Sequence, residues 1–129
     1  MYLIDTSAWI EALRKGSTLK LGRLFPPEEL VTCLPVIQEV LQGIRDESAF
    51  RDVRASLLAV TVVEDPLGRT VVDQAVDLYR AARRHGVTLR SGVDCLIAAC
   101  ALRHDLTVVH RDRDYDQLAR VSSLKTRPV

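Results

Sequence analysis

Short runs of β-branched and other apolar residues alternate along the chain with segments that have a helical pattern. Runs this short, and this rich in valine, isoleucine and threonine, are typical of strands. Strands that alternate with helices predict an α/β fold, in which a mostly parallel sheet is covered by helices on both faces. The predicted strands are residues 2–4, 30–33, 59–63 and 106–109, with a weaker fifth strand near 122–126.

Helical patterns fill the segments between these strands. Pro35 fits the first position of a helix, and basic residues followed by Gly86 are typical of a helix end. The segment 91–103 is apolar on nearly every face, which indicates a helix buried in the middle of the fold. The predicted helices are residues 6–14, 35–44, 46–58, 71–85, 91–103 and 115–120.

Length and composition are those of one globular domain over residues 1–129, with 47% apolar residues. The formal net charge of +1 excludes a polycationic nucleic-acid binder, so nucleic-acid binding would need a local basic surface. The three cysteines form no CxxC pair, and we expect small buried side chains in a reducing compartment. The N-terminal segment is unlike a secretory signal, and no apolar stretch approaches the ~20 residues that span a bilayer. We therefore expect a cytoplasmic protein without membrane contact.

Acidic residues follow two of the predicted strands. Asp5 comes directly after the first strand, and Asp112 comes just after the fourth. In parallel sheets ligands bind beyond the carboxyl ends of the strands, so these two acids are candidates for one site. Glu39 lies about one turn into its helix, Asp94 lies at the start of the buried helix, and Asp114 follows Asp112 by two positions.

Carboxylates gathered in one place repel one another unless a cation lies among them. Hard oxygen ligands select Mg²⁺ or Mn²⁺ over softer metals. A water molecule made more acidic by such an ion is a nucleophile for phosphodiester cleavage, and a second ion ~4 Å away could stabilise the leaving oxygen. This chemistry requires no nucleophilic serine, cysteine or histidine.

Each acid also has an ordinary structural interpretation. Asp5 could cap the first helix, and Asp94 could form a capping box with Ser91. Asp112 and Asp114 could be turn residues ahead of the last helix. Taken singly the acids favour these structural roles, but taken together, at strand ends and helix starts, they favour a metal site.

Four segments of the sequence resemble the VapC-type PIN-domain ribonucleases, which are the toxin halves of bacterial and archaeal toxin–antitoxin pairs. The first segment is YLIDTSAW at 2–9, and the second is Glu39 with Gly43. The third is RSGVDCLIAA at 90–99, and the fourth is HRDRDY at 110–115. Tyr115 stands where the family usually has phenylalanine. The resemblance covers nearly the whole chain, and the four segments occur in the family's order and spacing.

The resemblance implies a three-layer α/β/α PIN-like domain with a mostly parallel central sheet of four or five strands. It also implies a Mg²⁺-dependent endoribonuclease, with Mn²⁺ as a substitute ion, that forms a homodimer and is blocked by an antitoxin bound over the acidic pocket. Thr6 or Ser7 would orient a carboxylate or a water molecule, and Asp114 would be a supporting acid. The acids that would bind the metal and carry out catalysis are Asp5, Glu39, Asp94 and Asp112.

Basic residues near the acids are candidates for contact with an RNA backbone. These are Arg90, Arg111 and Arg113, although Arg90 could equally pair with an acid. Two other functions stay open at this point: a DNA-directed nuclease of similar fold, and a non-catalytic PIN-like module that binds a protein. A phosphoacceptor receiver, a haloacid-dehalogenase-type phosphatase and a dinucleotide-binding fold are excluded. Asp5 has no acidic neighbour, position 7 is serine, and the first turn has no glycine-rich segment.

Overall fold

A single sheet of five parallel strands forms the centre of the computed structural model, which describes residues 1–129. The strand order is β3-β2-β1-β4-β5, so the first strand lies in the middle of the sheet. This arrangement confirms the predicted α/β fold with a parallel sheet. The strands are β1 (Tyr2–Ile4), β2 (Leu30–Cys33), β3 (Thr61–Val63), β4 (Thr107–His110) and β5 (Lys125–Pro128).

Helices cover both faces of the sheet, because successive side chains of a strand point to opposite sides. Leu3 and Val108 pack in the larger core cluster, whereas their neighbours Ile4 and Val109 pack in a smaller cluster on the other face. All four side chains are fully buried. The helices are α1 (Thr6–Leu13), α2 (Leu21–Leu24), α3 (Leu34–Gln42), α4 (Glu47–Ala59), α5 (Arg69–Arg84), α6 (Gly92–Arg103) and α7 (Asp114–Arg120), with a 3₁₀ turn at Pro27–Glu29.

Every predicted strand and helix is present in the structure, and for these elements the differences lie at their ends. The predicted third strand started at Ala59, but Ala59 is the last residue of α4, whose Leu57 is fully buried against the core. The fifth strand begins at Lys125 rather than near Ser122. Ser122 instead forms a turn after α7, donating to the carbonyl of Leu118 at 2.7 Å and accepting from the N–H of Leu124 at 3.2 Å.

The short helix α2 and the following 3₁₀ turn were not predicted from the sequence. Leu21 of α2 and Phe25, which directly follows α2, pack in the smaller core cluster, and both are buried. All three cysteines are buried and form no disulfide, as expected. No helix combines the length and the apolar character that crossing a membrane would require.

Candidate active site

The carboxyl ends of β1 and β4 lie side by side, and Asp5 is the first residue beyond β1. Its backbone N–H donates to the carbonyl oxygen of Val109 at 2.9 Å. The side chain caps α1, since Oδ2 accepts from the N–H and the hydroxyl of Ser7 at 2.9 and 2.5 Å. Asp5 is only 2% exposed, yet it lines an open cleft at this edge of the sheet. The helix cap and the site acid are therefore the same carboxylate.

Glu39 reaches the same cleft from α3, the helix that follows β2. The Thr6 hydroxyl, in the first turn of α1, donates to Oε1 of Glu39 at 2.7 Å. This bond crosses between two helices that follow neighbouring strands and orients the Glu39 carboxylate. The two hydroxyls singled out in the sequence thus contact different acids: Thr6 contacts Glu39, and Ser7 contacts Asp5.

Asp94 lies in the first turn of α6, whose N-cap is Ser91. The Ser91 hydroxyl accepts from the N–H of Val93 at 3.1 Å, but no protein hydrogen bond reaches the Asp94 carboxylate. The residue is 8% exposed. Burial, and then the negative charges of the neighbouring acids, raise the pKa of Asp94 from 3.8 to about 7. The neighbours, in order of their effect, are Asp5, Asp112, Asp114 and Glu39.

The loop after β4 brings two further acids next to Asp94. Carboxylate oxygens of Asp94, Asp112 and Asp114 lie within 4.8 Å of one another. The Asp114 N–H donates to Oδ1 of Asp112 at 2.9 Å, and the Asp112 N–H donates to Nδ1 of His110 at 3.2 Å. Asp114 is buried and does not line the cleft, whereas Asp112 does.

Arg90 pairs with these acids from the loop before α6. Its Nη2 lies 2.6 Å from Oδ1 of Asp112, and its Nε lies 3.6 Å from Oδ2 of Asp114. The Arg90 backbone N–H also donates to Oδ2 of Asp114 at 3.1 Å. The Arg90 side chain is 62% exposed, so its guanidinium lies at the rim of the cleft. The sequence left open whether Arg90 contacts an RNA backbone or pairs with an acid, and in the structure it pairs with acids.

The other two candidate RNA-binding arginines lie outside the cleft lining. Arg111 pairs with Glu11, with Nη1 3.1 Å from Oε1, and its N–H donates to the Ser7 hydroxyl at 3.0 Å. Arg113 is exposed at the start of α7 and makes no ion pair. A basic side chain is therefore available on the loop next to Asp112.

The cleft has a volume of about 320 Å³, and four acids contributed by separate segments of the chain line it together. Its potential ligand side chains carry only oxygen donors, with no histidine or cysteine, which is the donor chemistry that Mg²⁺ and Mn²⁺ prefer. Arg90 pairs with Asp112 and Asp114 but not with Asp94, whose pKa is raised by burial and then by the neighbouring acids. The residues present therefore fit a hard divalent cation. The lining consists of Asp5, Thr6, Ser7, Ile10, Glu39, Arg90, Ser91, Asp94 and Asp112.

Tyr115 is the contact that sequence reasoning missed. Its ring is fully buried in the larger core cluster, and its hydroxyl donates to Oδ1 of Asp5 at 2.5 Å. The only signal in the sequence was that Tyr115 stands where the family that the sequence resembles is expected to have phenylalanine. A difference of one hydroxyl does not reveal its partner when that partner is 110 positions away.

Comparison with known proteins shows a match to the PIN domain family model over residues 2–121. The chain is 38% identical to the VapC ribonuclease Mb1587 of Mycobacterium bovis over 136 aligned positions, covering 97% of this chain and 96% of that protein. It has the same identity and coverage against ribonuclease VapC11 of Mycobacterium tuberculosis.

Solved structures with the same fold include VapBC2 from Rickettsia felis bound to a promoter DNA fragment. That match has a TM-score of 0.78 at 15% identity and covers 98% of this chain and 97% of that one. VapBC-5 of Mycobacterium tuberculosis, a member of the VapBC family of toxin–antitoxin systems, matches with a TM-score of 0.69 at 19% identity, covering 98% and 97%. VapC20 of the same organism, a toxin that cleaves the sarcin–ricin loop, matches with a TM-score of 0.61 at 18% identity, covering 90% and 93%.

Proposed function

The chain belongs to the PIN domain family, among the VapC ribonucleases, and on this premise we propose that it is a metal-dependent endoribonuclease, the toxin of a toxin–antitoxin pair. One observation carries the proposal. Four carboxylates from separate parts of the chain line a single open cleft at the carboxyl edge of the sheet, and the pKa of Asp94 is raised to about 7 there. A binding module with no metal to hold would gain nothing from that repulsion.

The acids that would hold Mg²⁺, or Mn²⁺ in its place, are those that line the cleft. We expect Asp5 and Asp94 to be the most direct ligands, with Asp112 and Glu39 completing the set and Asp114 supporting Asp112 from behind. When bound, a divalent ion makes a water molecule more acidic and offsets the charge that develops on the phosphate.

The protein's own side chains orient the acids and admit the substrate. Ser7 holds Oδ2 of Asp5, and Thr6 holds Oε1 of Glu39, so that the two carboxylates are fixed before any ligand arrives. Arg90 and Arg113 are exposed beside the acids and would contact the RNA backbone. Arg111 would contribute there after leaving Glu11.

We also propose that the protein works in the cytoplasm with two protein partners. One is a cognate antitoxin that covers the acidic cleft, which is supported by the VapBC toxin–antitoxin complexes among the structures of the same fold. The other is a second copy of the chain. Support for a homodimer comes from an apolar face on α5, where Val72 and Val76 are 45% and 51% exposed next to Tyr79 and Leu96.

The test is to incubate the purified chain with labelled RNA and with labelled DNA of equal sequence, in Mg²⁺ and then in EDTA. We expect cleavage of RNA only, dependent on Mg²⁺ and abolished by Asp94→Asn. Asp52 is an exposed residue of α4 without an ion pair, so the Asp52→Asn protein is the matched control and should cleave RNA like the wild type. Cleavage of DNA instead would favour the DNA-directed nuclease. No cleavage of either, with tight binding of a protein partner, would favour the non-catalytic module.

A further inference from the structure

Tyr115 connects the core of the protein to the central acid of the candidate active site. It is the second residue of α7, is fully buried, and packs with its ring centroid 5.1 Å from that of His110. Its hydroxyl is the sole side-chain donor to Oδ1 of Asp5, while both donors to Oδ2 belong to Ser7. Both oxygens of the Asp5 carboxylate thus accept hydrogen bonds from the protein.

We propose that Tyr115 is a positioning residue of the candidate active site, whose hydroxyl fixes the Asp5 carboxylate in the orientation that binds a divalent ion. This inference rests on the proposed function and assigns a role to a residue that would otherwise be part of the core. Each carboxylate oxygen has two lone pairs, so Oδ1 can accept from Tyr115 and still offer a lone pair to a metal ion.

The geometry makes the hydroxyl suited to this role. Hydrogen bonds to an ionised carboxylate are shorter and about twice as strong as those between neutral groups. Burial of the ring fixes the position of the hydroxyl oxygen, since a fully packed side chain does not change rotamer freely. The link also ties the loop after β4, which carries Asp112, to Asp5. Mutation of a hydrogen-bond partner of this kind, behind a metal ligand, typically lowers metal affinity or activity by about 10–100-fold.

The experiment compares wild type, Tyr115→Phe and Tyr2→Phe, each as the full chain. The first variant removes only the hydroxyl and keeps the ring that fills the core. Tyr2→Phe is the matched control, because Tyr2 is half-buried at the start of β1, outside the cleft lining, and its hydroxyl has no hydrogen-bond partner. Binding of Mn²⁺ without RNA is measured by calorimetry and electron paramagnetic resonance, and RNA cleavage is then measured at saturating metal.

Tyr115→Phe should raise the Kd for Mn²⁺ about tenfold or more and lower kcat, while the KM for RNA stays unchanged. Tyr2→Phe should match the wild type in all three quantities. Equal Kd and kcat for Tyr115→Phe and wild type would overturn the inference and leave the proposed function standing. A wild-type protein that binds no Mn²⁺ would overturn both.

A second measurement decides the matter if Tyr115→Phe does not fold. The wild-type chain has three tyrosines, so labelling with 3-fluorotyrosine gives three ¹⁹F signals, of which Tyr79→Phe and Tyr2→Phe identify two. Titration with Mg²⁺, which is diamagnetic, should shift the Tyr115 signal and leave the Tyr79 signal in place. A Tyr115 signal that does not respond at saturating Mg²⁺ would show that the hydroxyl is not coupled to the ion and would refute the inference.

Discussion

Replacing Asp94 with asparagine should stabilise the metal-free protein at neutral pH, although it removes a residue of the candidate active site. Asparagine has nearly the shape of a protonated aspartate and carries no charge. Asp94 is buried and its carboxylate has no hydrogen-bond donor, so the substitution breaks no contact made by the ionised form. What it removes is first the cost of burying a charge and then the repulsion from the neighbouring acids.

The size of the effect follows from the pKa of Asp94, which rises from 3.8 to about 7 on folding. Each tenfold change in a protonation equilibrium corresponds to about 1.4 kcal/mol, so the upper limit is about 4 kcal/mol. Water in the open cleft screens part of this charge, and we take about 2 kcal/mol as the working value. A gain of that size should raise Tm by roughly 5–10 °C in a chain of this length.

The sign of the pH dependence is set by which state keeps the proton. Between pH 3.8 and about 7 the unfolded chain has released the Asp94 proton and the folded chain retains it. Raising the pH through this window therefore favours unfolding, and the loss of folding stability due to Asp94 is complete above about pH 7. The advantage of Asp94→Asn should be close to zero near pH 4, grow through the window, and stay constant above it.

The assay is urea or thermal unfolding of wild type, Asp94→Asn and Asp52→Asn in EDTA, at intervals from pH 4 to pH 8. Asp52 is exposed, so its variant should follow the wild type throughout. Adding Mg²⁺ at pH 7.5 should then stabilise the wild type more than Asp94→Asn, since a ligand that binds only the folded state adds stability. Two results would contradict this prediction: an Asp94→Asn protein that is less stable than wild type at pH 7.5 in EDTA, or a stability difference between the two proteins that does not change with pH.

Two further variants test the charge pairing at the cleft and the apolar face of α5. Arg90→Gln should tighten Mn²⁺ binding in calorimetry without RNA, because the Arg90 guanidinium, 2.6 Å from Asp112, competes with the ion. Arg113→Gln, which removes an exposed charge without an ion pair, is its control, and a weaker affinity for Arg90→Gln would contradict the competition. Val76→Asp should convert the expected homodimer to a monomer, as measured by light scattering. Thr70→Asp, at an exposed position of the same helix, is the control and should leave the dimer intact. A wild-type protein that is already monomeric would refute the proposed homodimer.

Sequence reasoning succeeded where a pattern is local and repeated. The β-branched runs at β1 and β2 predicted both strands with their observed ends, because central strands are buried on both faces and must be apolar throughout. The carboxyl-edge rule then placed Asp5 and Asp112 at neighbouring strand ends, which the pairing of Ile4 with Val109 bears out. That local reasoning could not predict α2, whose four residues are too few to form a helix without tertiary packing.

The parts of the site that escaped prediction depend on pairings between distant residues. From the sequence alone, an acid and a phosphate were equally suitable partners for Arg90. Only the fold brings its guanidinium next to Asp112, which is 22 positions away. Asp114 lies two residues from Asp112 in sequence, yet it is buried behind that residue because α7 begins there. Alternation along a loop does not indicate which side chain faces solvent, since the loop has no regular period.

Two acids of this site, Asp5 and Asp94, lie on the parts of the fold that can least move apart. Asp5 leaves the central strand, and Asp94 begins α6, in which seven of twelve residues are buried. The N-terminus of α6 favours a negative charge, but such an effect is worth at most about 2 kcal/mol. Burial and then the neighbouring charges nevertheless raise the pKa of Asp94 to about 7. Because packing holds Asp5 and Asp94 in place and Arg90 pairs with Asp112 and Asp114 rather than with Asp94, the burial and repulsion of the Asp94 charge are relieved by its protonation or by a bound cation.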